Sequence, residues 1–154
     1  MYFASTVMNK SYDTLIIGAG AAGLMAAISA RRSGAVCVCD RLSLPAKKLA
    51  ATGNGRCNML NDRLDAACYA PQARELVAAV FDRFGKDSIL RQFREMGVYT
   101  TSAADGRIFP VTNQAATVVK ALLDELARID VPIISEFCVT RIAHGADGFN
   151  VEAA

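Results

Sequence analysis

The chain has a single histidine, His144, and its five cysteines, at 37, 39, 57, 68 and 138, include no CxxC pair. Those scarcities argue against zinc and against a disulfide framework, and leave free thiols in a reducing compartment. An excess of charge is lacking too, because 17 basic residues face 15 acidic ones for a net of +2. Such a balance gives no electrostatic footprint for nucleic acid or a membrane surface. No apolar run reaches the roughly 20 residues of a membrane span. The uncharged stretch from Thr14 to Ala30 is too short and carries three glycines near its start. Asp13 stands before it, where a signal peptide would want positive charge. The expectation is a soluble, cytoplasmic protein with no nucleic-acid and no membrane partner.

What is present is globular: 154 residues, 53% hydrophobic and 21% charged, long enough for one domain with a sizeable core. Residues 1–12 read as a leader, with Met8 a plausible alternative start, and 13–154 as one domain. "DTLIIG" (13–18) reads as a buried parallel strand, and "AVCVCD" (35–40) as a second. Between them "AAGLMAAISARRSG" (21–34) reads as a helix stopped by Gly34. The chain from 41 to 71 reads as irregular. Two helices are expected over 72–85 and 87–97, with the Phe and Leu residues of 76–93 in the core. A hairpin over 98–111 should turn at Asp105-Gly106. A helix over 113–130 should be capped by Asn113. Residues 131–137 should add a third core strand, and 138–154 an antiparallel pair around Gly145–Gly148.

Gly18-Ala19-Gly20-Ala21-Ala22-Gly23 fits GxGxxG after a strand and before a helix, the context that gives each glycine a task. Gly18 permits a tight turn, Gly20 lets the backbone approach a pyrophosphate, and Gly23 lets helix and strand pack closely. The phosphate would sit on the helix N-terminus. Asp40, with Arg41 beside it, ends the second strand 22 residues beyond Gly18 and can accept the hydroxyls of an adenosine ribose. No Lys-Ser or Lys-Thr follows the glycines, which excludes a P-loop. The unit therefore reads as a site for FAD or NAD. "TGNGRCN", Thr52-Gly53-Asn54-Gly55-Arg56-Cys57-Asn58, follows at the same sheet edge, led by Lys47 and Lys48. Its glycines and asparagines can turn N–H groups onto ligand oxygens, and Arg56 adds a forked cation. His144 reads as a turn residue, Cys37 and Cys39 as core, and Arg107 as either a pocket or a surface charge. Cys57 reads as structural or flavin-contacting, since no resolving cysteine lies at a redox spacing.

"KKLAATGNGRCNMLN" (47–61) resembles the signature K-L-L-x-[ST]-G-x-G-R-C-N-x-[ST]-N of the YhiN/BaiN-like flavoproteins, which include aminoacetone-oxidase-type FAD enzymes. "DGRIFPVTNQAATVVKAL" (105–122) and "IIGAGAAGLMAA" (16–27) resemble two further blocks of that family, in the same order. The resemblance implies an α/β, Rossmann-type FAD-binding domain of the glutathione-reductase-like class with an antiparallel β-meander. It implies a flavin-dependent oxidoreductase, with NAD(P)H as candidate electron donor and a small-molecule substrate. It matches Asp40 to the family's ribose-binding acid, usually Glu, and Lys48 to its signature lysine. Gly53 through Asn58 match its flavin-side loop, and Val139 loosely matches an adenine contact. Ala46 stands where the family often has Gly. The family's second Gly-Asp motif and its substrate domain have no counterpart here, so the chain resembles an amino-terminal piece. Catalytic residues and oligomeric state stay open. The alternatives are an NAD-dependent dehydrogenase domain and a non-enzymatic adenine-dinucleotide-binding remnant.

Overall fold

A computed structural model describes residues 10–154, so most of the expected leader, Met8 included, lies outside the described residues. The chain forms two compact units: residues up to Lys47 together with Leu123–Ala154, and Lys48–Leu122.

In the first unit, β1 (Thr14–Ile17), α1 (Ala21–Ala30) and β2 (Val36–Cys39) form the expected β-α-β unit. β2 lies between β1 and β6 (Ile133–Ile134), parallel to both, with Ile16 opposite Val38 and Cys39 opposite Ile134. A middle strand covered on both faces must be apolar throughout, and all four residues of β2 are buried, Cys37 and Cys39 among them. β1 departs from its expected burial. It is only half-buried, and Ile17 is 52% exposed, because β2 is its one strand partner among the described residues. Leu24, Ala27 and Ile28 make one face of α1 and are buried. α1 ends at Ala30 in a 3-10 turn over Arg31–Ser33, and Gly34 follows in extended rather than left-handed backbone. Arg31 secures that end by donating from Nε to the Ile129 carbonyl at 2.8 Å and from Nη1 to that of Gly34 at 3.1 Å. β7 (Val139–Gly145) and β8 (Gly148–Ala153) form the expected antiparallel pair, with a register shift between Val139 and Arg141. His144 lies on β7, edge-on to Phe149 across the strands.

The second unit holds α2 (Lys47–Gly55, entering from the first unit), β3 (Leu60–Asn61), α3 (Arg74–Arg83), α4 (Lys86–Glu95), β4 (Thr100–Ser102) and β5 (Arg107–Pro110). β5 lies between β3 and β4, antiparallel to both. The β4–β5 turn falls where expected: Gly106, at φ 84°, donates its N–H to the Ala103 carbonyl at 2.9 Å. Arg107 is exposed there and paired to Asp105 at 2.7 Å, with its guanidinium carbon 5.6 Å from the centre of the Phe109 ring.

Three expectations are corrected. The stretch 41–71 is not wholly irregular, since α2 begins at Lys47 and breaks only at Thr52, Gly53 and Asn54. Asn113 does not cap the next helix. That helix, α5, runs Ala115–Arg128, and Asn113 stands two residues ahead in left-handed backbone at φ 56°. A hydrogen bond of 2.7 Å between the Thr112 and Thr117 hydroxyls spans the helix start instead. The apolar residues of α3 are not core: Leu76 is 70% exposed, Val80 45%, and Phe84 just beyond the helix 59%. Their period marks an apolar stripe, but Leu76, Val80 and Phe84 stay exposed, while Phe81 is half-buried edge-on to Tyr69. Among the described residues no helix is long and apolar enough to cross a membrane.

Candidate functional site

The candidate residues fall into two clusters, one in each unit. In the first, the chain leaves β1 through Gly18, whose φ of 110° an L side chain rarely adopts. Gly18 donates its N–H to the Cys39 carbonyl at 2.7 Å, so the turn is stitched to the end of β2. Gly20 then precedes α1 in extended backbone, and a Cβ added there would meet nothing within 4 Å. At Gly23 the case is opposite, because a Cβ would overlap the Gly18 carbonyl oxygen. One glycine is needed for internal packing; the other leaves space open to a ligand.

α1 is prepared for an anion at its start. Its N-cap makes no side-chain hydrogen bond, and its first turn, which holds Ala21, Ala22 and Gly23, has no acidic residue. The N–H groups of a first helical turn lack intrahelical partners and carry the positive end of the dipole. The chemistry of this cradle fits a pyrophosphate.

Asp40 stands beside the cradle, at the end of β2. Its Oδ2 accepts the Ala19 N–H at 2.6 Å, and its Oδ1 accepts the Leu42 N–H at 2.8 Å. Each oxygen keeps a lone pair, enough for ribose hydroxyls. Arg41 follows and is exposed. Val139 begins two residues after Phe137, whose N–H donates to the Asp40 carbonyl at 2.9 Å. The Asp40–Ala19 bond joins residues 21 apart and has no signal in the sequence. Ala46 is buried in left-handed backbone at φ 57°. That conformation accounts for the glycine common at this position in the resembled family.

In the second unit, the loop at the end of α2 runs through left-handed backbone at Gly53, Asn54, Gly55 and Cys57. Lys48 is exposed on α2 ahead of it. Thr52 donates its hydroxyl to the Leu49 carbonyl at 2.7 Å, and the Cys57 N–H closes the loop on the Thr52 carbonyl at 3.0 Å. The Arg56 guanidinium carbon stands 4.7 Å from the centre of the Phe109 ring, and Nε donates to the Gly53 carbonyl at 3.2 Å. Among the described residues no carboxylate pairs with Arg56, so its outer donors stay available to an acceptor. Asn58 is exposed. Phe109 was not singled out from the sequence, and only its place in the "GRIFP" block marks it.

Cys57 is buried, and that burial raises its thiol pKa, with a smaller opposing effect from a Thr52 hydrogen bond. A buried, protonated thiol is a poor nucleophile. Iodoacetamide at pH 8 is therefore expected to alkylate the exposed Cys68 and Cys138 at least about tenfold faster than Cys57. Mass spectrometry of timed aliquots checks this, and equal labelling of Cys57 would show an accessible, activated thiol. Cys37 and Cys39 are raised by burial in the same way. A thiol with a higher pKa folded than unfolded contributes stability that is whole below the unfolded value and is lost as pH rises through the folded one. Unfolding midpoints should accordingly fall above the ordinary thiol range of about 8.5.

Comparison with known proteins gives one answer at three levels. The family model described as "HI0933-like protein Rossmann domain" matches residues 12–154. The chain is 39% identical over 141 residues to the 3-dehydro-bile acid delta(4,6)-reductase of Clostridium scindens, across 90% of this chain and 34% of that protein. It is 27% identical over 144 residues to the ribosomal RNA dihydrouridine synthase of Escherichia coli, across 93% of this chain and 36% of that protein. The chain thus spans about a third of the length of these curated relatives. Among solved structures, a 3-ketosteroid-delta4-(5alpha)-dehydrogenase from Rhodococcus jostii is similar, with TM-score 0.67 and 14% identity over 97% of this chain and 44% of that one. An open flavocytochrome c3 fumarate reductase is similar with TM-score 0.57 and 12% identity over 95% of this chain and 32% of that one. At these identities the structures establish the fold, a Rossmann-like α/β domain.

Proposed function

The chain belongs to the HI0933-like family, as its Rossmann domain, and from that premise we propose that it is the FAD-holding part of a flavin-dependent oxidoreductase that draws electrons from NAD(P)H. The observation that carries the reading is the cradle at Gly20 and the uncapped, acid-free start of α1 beside the Asp40 carboxylate. FAD, when bound, would supply the hydride chemistry. The chain's own residues bind and orient. The first turn of α1 would hold the pyrophosphate, and Asp40 would accept from the adenosine ribose. Lys48 and the Thr52–Asn58 loop would donate to the flavin side through Arg56 and backbone N–H groups. Val139 would offer backbone groups to the adenine.

The names of the two relatives share a reaction class, addition of hydrogen across a carbon–carbon double bond, and that class is the one proposed here. A small unsaturated molecule is preferred as substrate over a nucleic acid. Identity to the bile-acid reductase is 39% against 27% to the RNA enzyme, and a net charge of +2 gives little attraction for phosphate backbones. A cytoplasmic location belongs to the same proposal, supported by the five free thiols.

Titration of the purified chain with FAD, FMN and NAD+ in parallel tests the cofactor. FAD should bind tightest, with quenching of flavin fluorescence. NAD+ binding tighter than FAD would overturn the reading in favour of an NAD-dependent dehydrogenase.

A further inference from the structure

We infer that Asp40 is a positioning residue for the glycine loop, acting through Ala19, in addition to any contact it makes with a ribose. Ala19 is the middle residue of Gly18-Ala19-Gly20, and both of its polar backbone groups are held from outside the loop. Its N–H donates to Asp40 Oδ2 at 2.6 Å, and its carbonyl accepts the Ala46 N–H at 2.7 Å. Ala19 is itself buried, so neither group would find water if its partner were lost. The carboxylate is aimed by the Leu42 N–H on its other oxygen, and the β2 end that carries it is fixed by the Asp40 N–H on the Ile134 carbonyl at 2.9 Å.

The opposite arm of the clamp has a conformational cost. Ala46 sits at φ 57°, which an L-residue adopts only when its surroundings demand it. That backbone directs its N–H to Ala19. Two elements distant in sequence thus hold the two peptides on either side of Ala19, and the second of them leads directly into Gly20 and the first turn of α1. A loop held in its binding geometry before the ligand arrives loses less entropy on binding.

The test is amide hydrogen exchange in the cofactor-free chain. Asp40→Ala should speed exchange at Ala19 by about 10- to 100-fold, the effect of losing a charge-assisted hydrogen bond. Asp40→Asn keeps one carbonyl acceptor and should give a smaller acceleration. Amides of the buried strand β2 report overall stability and should exchange as in the unsubstituted protein. Acceleration at Ala19 beyond that at the β2 amides supports the role. Unchanged exchange at Ala19, or equal acceleration at both places, overturns it. If Asp40→Ala does not fold, Asp40→Asn is judged by the same comparison. Since no cofactor is present, failure here leaves the FAD proposal standing, and failure of the FAD titration leaves this role standing.

Discussion

Gly23→Ala should lower the stability of the first unit by about 3 kcal/mol or more, while Gly20→Ala, three residues earlier, should leave it within about 0.5 kcal/mol. Both are the same chemical change in the same motif. They differ in what the new methyl meets. At Gly23 it would overlap the Gly18 carbonyl and crowd the Ile16 side chain at 3.4 Å. Neither obstacle is the far end of a flexible side chain, so β1 and α1 must separate. At Gly20 the backbone is extended, at φ −82° and ψ 178°, and the space is empty. Alanine is tolerated there and even restricts the unfolded chain. The cost should appear on binding instead, as a loss of at least about tenfold in FAD affinity, because the methyl occupies the approach of the pyrophosphate. Urea unfolding of the cofactor-free proteins and FAD titration of the same samples separate the two effects. Full FAD affinity in Gly20→Ala would show that the ligand does not approach the loop at that point.

That contrast also marks where sequence stops being informative. The β1–α1–β2 unit, the β4–β5 turn and the β7–β8 pair were legible because their signals are local: apolar runs, helical spacing, and glycine where the backbone needs it. The periodicity of α3 was equally legible, yet it says only which side of a helix is apolar. Whether Leu76, Val80 and Phe84 are covered depends on elements that no local pattern specifies. Ala46 takes a left-handed conformation that alanine does not favour, with its N–H bonded to the distant Ala19 carbonyl, and only its match to a family glycine hints at it. Asn113 is a residue type that accepts left-handed backbone as well as a capping position, so its identity alone does not separate the two. In the candidate site the glycines and the strand-ending acid were readable as residue types at the right spacing. The partner of that acid, a backbone N–H in the glycine loop itself, was not.

Gly53→Ala should cost the second unit about 2–3 kcal/mol, and Gly55→Ala only about 1 kcal/mol, although both positions have positive φ. Left-handed backbone alone penalises an alanine by about 1–2 kcal/mol, and that part is common to the two. The difference lies in space. At Gly55 an added Cβ has no neighbour within 4 Å, whereas at Gly53 it would stand 2.8 Å from the Asn58 nitrogen and 3.4 Å from the Phe109 ring. The Asn58 nitrogen is backbone and cannot rotate away, so the turn between Gly53 and Asn58 must open. Opening it would loosen the Arg56 Nε bond to the Gly53 carbonyl and the closure of Cys57 on Thr52, the two contacts that hold the loop's cation over Phe109. Stability and function should therefore fall together in Gly53→Ala, with the Cys57 thiol becoming open to iodoacetamide as the loop opens. In Gly55→Ala the thiol should stay protected. Alkylation followed alongside urea unfolding distinguishes these outcomes. Equal losses in the two variants, with Cys57 protected in both, would mean that positive φ alone sets the requirement for glycine here and that the close approach of Asn58 plays no part.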